Sequence, residues 1–130
     1  MDATDLKQCT MRTTIHLNGG SKFFGYVLVC NEHPRLQRID KHFRDTKKTE
    51  IQYQVDGESV ASLDEAAERL SVPPVITDEM TADMISIGPE FGDHRKLIAY
   101  SRLKKLENCG LLEWGARGEC RIRQPASWAR

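Results

Sequence analysis

The chain has 130 residues, of which 39% are hydrophobic, enough for one packed domain or two very small units and too many for wholesale disorder. No apolar run approaches the roughly 20 residues of a membrane span, and Met1–Gln8 lacks the basic-then-apolar order of a secretory signal. The expectation is therefore a cytoplasmic protein with no membrane partner, whose four cysteines (Cys9, Cys30, Cys109, Cys120) are free thiols. Nineteen basic and nineteen acidic residues cancel overall but not locally: residues 63–92 carry one basic and seven acidic groups, residues 93–130 nine and four. Such a chain is polarised along its length.

Residues 1–11 read as a flexible polar tail and residues 12–61 as a β-rich α+β subdomain. Ile15 and Leu17 alternate with polar neighbours, which suits a half-buried strand. Asn18-Gly19 offers the positive-φ pair of a tight hairpin, and Phe23–Cys30 is the continuous run of β-formers expected of a central strand. After the break at Asn31–Pro34, Leu36, Ile39 and Phe43 recur at spacings of three and four, which predicts one short helix. Ile51, Tyr53 and Val55 alternate as a strand, Asp56-Gly57 turns it, and Ser59–Ala61 supplies a brief return. His16, His33 and His42 thus fall on a strand, a turn and a helix, with no spacing that unites them.

Residues 62–123 read as three helices and a hairpin, followed by a tail over 124–130. Ser62 and Glu65 form a capping-box pattern ahead of a helix through Leu70, ended by Pro73-Pro74. Thr77-Asp78-Glu79 opens a second helix. Asp93 caps a third and longest helix, from His94 to about Asn108, closed by Gly110. Leu111–Trp114 and Glu119–Arg123 then pair around Gly115–Gly118, with Arg121 and Arg123 on one side of the return strand.

Within this order, Ser101-Arg102-Leu103-Lys104-Lys105-Leu106-Glu107-Asn108-Cys109-Gly110-Leu111-Leu112-Glu113 resembles the end of the recognition helix and the start of the wing in bacterial winged-helix regulators. Ser62–Ile76 also resembles the opening of an excisionase-type helix-turn-helix, although Pro73-Pro74 and the acidic Asp78 and Glu79 argue against the second helix as reader. The winged-helix resemblance implies an α+β fold with a carboxy-terminal three-helix winged-helix-like unit. It also implies double-stranded DNA as the partner, and a homodimer as one arrangement, since such regulators commonly act as dimers.

On that reading His94, Arg95, Lys96, Ser101, Arg102, Lys105, Arg117, Arg121 and Arg123 form the nucleic-acid surface, mostly through phosphates. The alternative is a protein–protein interaction module in which Asp64, Glu68, Asp78, Glu79 and Asp83 dock a basic partner. No Gly-rich phosphate loop, nucleophile elbow or paired metal ligands occur in the sequence, so no catalytic residue, metal or cofactor is expected.

Overall fold

A computed structural model describes residues 2–123. Its elements in chain order are α1 (Ala3–Lys7), β1 (Met11–Asn18), β2 (Phe23–Cys30), β3 (Leu36–Phe43), β4 (Thr49–Val55), β5 (Glu58–Val60), α2 (Leu63–Leu70), α3 (Asp78–Ile87), α4 (Tyr100–Asn108), β6 (Leu112–Trp114) and β7 (Cys120–Ile122). Contacts divide the chain between Pro73 and Pro74 into two compact units.

In the first unit, β1 to β5 form an antiparallel meander in sequence order. Each connection is short, and the turn chemistry explains where the chain reverses. Asp56 and Gly57 take φ values of 55° and 84°, the left-handed pair that joins Val55 to Glu58 in register. The β1–β2 connection is looser than Asn18-Gly19 predicts, because Gly20 rather than Asn18 takes the positive φ. The Gly19 N–H closes the loop on the Phe23 carbonyl at 2.9 Å.

The short helix expected over Leu36–Phe43 is instead strand β3, paired on both sides by β2 and β4. Three apolar residues at spacings of three and four fit a helix and a two-sided strand about equally well. The polar residues decide: the Arg38 guanidinium donates to Asp40 at 2.8 and 3.0 Å, an i,i+2 pairing that shares a face only in a strand. Residues 3–7, read as part of a tail, form α1. Asp2 caps it, accepting from the Thr4 and Asp5 N–H groups, while Asp5 accepts from the Asp2 N–H in return.

Helix α2 belongs to this sheet. Ser62 caps it through the Glu65 N–H at 3.2 Å, and the Glu65 carboxylate accepts from the Ala61 N–H, one residue before the predicted reciprocal bond. Ala66 and Ala67 are buried with Cys30, Leu36, Val55, Val60 and Leu6, small side chains allowing the helix to lie close on the strands. Arg35 fastens its end: the guanidinium grips Asp56 at 2.7 Å twice and reaches the Arg69 and Leu70 carbonyls at 3.4 Å. A cation at a helix C-terminus is favourable there. Cys9 and Cys30 form a disulfide in the same core, contrary to the expectation of free thiols, whereas Cys109 and Cys120 are buried and not disulfide-bonded.

The second unit contains α3, α4 and the β6–β7 hairpin around Met80, Ile87, Ile98, Leu103, Leu106, Leu112 and Ile122. The expected three-helix unit is therefore not formed: the first of its helices packs on the amino-terminal sheet, and two helices accompany the hairpin. The helix expected to be the longest, α4, is shorter than predicted and, at nine residues, shorter than the ten-residue α3. Asp93 Oδ1 accepts from the Arg95 N–H at 3.1 Å, and the Leu97 and Ile98 N–H groups both turn back onto the His94 carbonyl. Ala99 is then extended (φ −59°, ψ 143°), so α4 starts at Tyr100.

Among the described residues, no helix is long and apolar enough to cross a membrane.

Candidate nucleic-acid interface

Strand alternation and register place two cross-strand rows on one face of the five-stranded sheet. One row is His16–Tyr26–Asp40–Ile51 and the next is Asn18–Phe24–His42–Thr49. Further along the same face come Cys30, Leu36, Tyr53 and Val55, where α2 packs. The helix is eight residues long, about 12 Å, whereas eight-residue strands run to about 26 Å. One end of this face is thus left without a helix.

That end is aromatic and cationic. The His16 and Tyr26 rings sit edge-on at 5.3 Å, Tyr26 and His42 at 6.1 Å, and Phe24 and His42 at 5.0 Å with planes tilted by 33°. The Arg44 guanidinium lies 4.8 Å from the Phe24 centroid, within cation–π range. Phe24 is 37% exposed and Ile51 53%. His42 is held by Thr49, whose hydroxyl lies 2.9 Å from Nδ1. Gly25 makes the close approach of β2 and β3 here possible, because a Cβ at this position would lie 1.9 Å from the Asp40 carbonyl oxygen.

The loop between β3 and β4 supplies the charge. Its ends are tied by the Phe43 N–H to the Lys48 carbonyl at 2.9 Å, and the Arg44 N–H reaches the Lys22 carbonyl at 2.9 Å. A depression of about 380 Å³ is lined by Phe24, His42, Arg44, Lys47, Lys48 and Thr49. Among the described residues, none of Lys22, Arg44, Lys47 and Lys48 makes a salt bridge. All four are exposed, and Arg44 Nε donates to the Gly20 carbonyl at 3.3 Å.

The cations singled out from sequence lie in the second unit, and most are already engaged. Arg102 binds the buried Asp83 through Nε at 3.0 Å and through a second, shorter contact, with Glu79 at 3.6 Å. Arg121 and Arg123 share Glu113, at 2.7 and 3.8 Å, and Arg121 also covers Phe91. Arg95 grips Asp93 at 2.9 Å; that hydrogen bonding pulls the Asp93 carboxyl down to about 2. Arg117 lies exposed in the hairpin turn, its N–H 3.4 Å from Glu119, and Lys96, Ser101 and Lys105 are exposed. His94 is half-buried, with Nε2 enclosed and unbonded. Four of the seven cations, Arg95, Arg102, Arg121 and Arg123, are thus tied into ion pairs within the unit.

The acidic set divides in the same way. Asp64 and Glu68 are exposed on α2 in the first unit, whereas Asp78 and Glu79 open α3 in the second. Asp83 is 4% exposed, which makes it a structural partner of Arg102 and leaves it little to offer a docking protein.

Sequence reasoning missed the sheet site because it placed His42 on a helix. With β3 a strand, His16 and His42 come together across Tyr26. Comparison with family models, curated proteins and solved structures returned no match.

Proposed function

We propose that this protein binds single-stranded nucleic acid on the open end of its five-stranded sheet. The observation that carries the reading is the Phe24–His42–Arg44 stack beside Lys47 and Lys48. Exposed rings on a sheet offer a platform to unpaired bases, whose faces are hidden within a duplex. Cations at the rim follow the phosphates. Tyr26, His16 and Ile51 extend the platform across four strands, long enough for more than one base. A duplex read by α4 and the hairpin draws less support, since Arg102, Arg121 and Arg123 are committed to carboxylates. An acidic protein-docking face draws less still, with Asp83 buried and the remaining acids divided between two units.

Base–aromatic stacking contributes about 1–3 kcal/mol per base, so Phe24→Ala weakens binding by about 5- to 150-fold. Each phosphate neutralised on a single strand contributes about −0.7 to the slope of log K against log salt. Removing Lys47 and Lys48 together therefore flattens that slope by about 1.4. Fluorescence anisotropy with labelled mixed-sequence oligonucleotides, single-stranded and duplex, measures both quantities. Absence of single-strand binding at low salt, or binding indifferent to Phe24→Ala, would overturn the proposal. Tighter binding to duplex would return attention to α4.

A further inference from the structure

Away from the open end of the sheet, Cys9, Cys30 and Glu32 converge beside α1. One ligand atom from each lies within 4.8 Å of the others. Cys9 lies between α1 and β1, Cys30 ends β2, and Glu32 follows two residues later. The register that pairs Met11 with Cys30 brings them together across 21 residues of sequence. Glu32 is aimed as well as near: both its carboxylate oxygens accept from the Thr10 N–H, at 2.9 and 3.2 Å, and one lies 3.4 Å from Cys30 Sγ. Hydrogen bonds of this kind orient the carboxylate ligands of metal sites. Cys30 is fully buried, Cys9 is half-buried and Glu32 is exposed, so the cluster has an apolar floor and an opening to water.

We propose that, in its dithiol form, this protein binds one thiophilic divalent cation of the zinc type through Cys9 Sγ, Cys30 Sγ and a Glu32 oxygen. Water takes the fourth tetrahedral position. Two sulfurs on one zinc, each at about 2.3 Å, stand roughly 3.8 Å apart. The Cα separation of 5.6 Å accommodates that distance after side-chain rotation. Two thiolates and a carboxylate match the sulfur-and-oxygen preference of zinc-type ions, and the set carries three negative charges against two positive. The disulfide is the oxidised alternative at the same place. A dithiol reductant gives up two electrons and two protons to the S–S bond and becomes a disulfide itself, leaving two protein thiols. Metal binding then releases both thiol protons. Metal occupancy and the disulfide are mutually exclusive.

The test uses the full chain, reduced with dithiothreitol, desalted without oxygen and titrated with cadmium chloride. The readouts are the thiolate-to-cadmium charge-transfer absorption and the number of thiols shielded from alkylation. The expected result is one cadmium per chain and two thiols shielded, with no signal from the oxidised protein. Cys30→Ser abolishes the signal. Glu32→Gln, which leaves both sulfurs and the disulfide in place, weakens it by about tenfold or more. Circular dichroism of each variant confirms that the fold persists. Failure of the reduced protein to bind cadmium would overturn the proposal. So would an equal signal from a Cys9→Ser/Cys30→Ser double variant, which would assign the metal to Cys109 and Cys120. The outcome is independent of whether the sheet binds nucleic acid.

Discussion

Leu36→Ala probes the assignment of β3 and α2 together. Leu36 is 1% exposed in the core shared by the sheet and α2, so truncation removes three fully buried carbons. At about 0.8 kcal/mol each, transfer accounts for about 2.4 kcal/mol. The cavity, walled by Val55, Cys30 and the small Ala66 and Ala67, raises the total to about 3–5 kcal/mol. With a urea slope of about 1–3 kcal/mol/M for a small unit, the midpoint falls by roughly 1–5 M. Far-UV circular dichroism in urea measures the shift, and native-state hydrogen exchange locates it. Amides of Leu63–Leu70 lose protection together with those of β3 and β4, because they share the core. A loss below about 1 kcal/mol, or α2 protection unchanged while the strands open, would refute the packing of α2 on this sheet.

Other expectations follow from single contacts. Arg102→Ala strands the buried Asp83 carboxylate, so it lowers the thermal midpoint measured at pH 7, whereas a surface phosphate contact would leave that midpoint unchanged. The Asp93 carboxyl, held near 2 by its hydrogen bonds with Arg95, titrates well below the usual aspartate range by carbon-detected NMR, and Arg95→Gln moves it back toward 3.8. Because its folded-state value is depressed, its stabilising contribution is complete above about pH 4 and is lost as pH falls toward 2. Gly25→Ala drives a Cβ against the Asp40 carbonyl; β2–β3 pairing is disrupted and oligonucleotide binding is lost in the anisotropy assay. Burial raises the Cys120 thiol, so Cys120 resists alkylation in the folded protein and reacts in urea.

Elements with one dominant local signal were legible in the sequence. Alternation marked β1 and β4, Asp56-Gly57 marked a hairpin, Thr77 marked the start of α3, and Gly110 separated α4 from β6. Strand β3 was not legible, because Leu36, Ile39 and Phe43 satisfy a helical and an extended spacing alike, and pairing with two neighbours settles it. Helix α2 was visible as a helix, but its destination was not: Ala66 and Ala67 suit any close neighbour. The candidate site was hidden for a related reason. Its members come from β1, β2, β3, β4 and the β3–β4 loop, and sheet register alone unites the strands. Charge counting over residues 93–130 registered Arg102 without the partners that Asp83 and Glu79 provide from α3, and it could not show that Arg121 and Arg123 converge on Glu113. The Cys9–Cys30 pairing likewise depends on the β1–β2 register, invisible to local spacing.

The most direct test of the account is a map of where an oligonucleotide lands. Two-dimensional NMR of the isotope-labelled protein, titrated with a mixed-sequence single strand, reports every amide and aromatic ring in one experiment. The account predicts the largest shifts at Phe24, Tyr26, His42, Arg44, Lys47 and Lys48, with Ser101–Lys105 and Arg117–Arg121 unmoved. Shifts confined to α4 and the β6–β7 hairpin, or none anywhere at low salt, would contradict it.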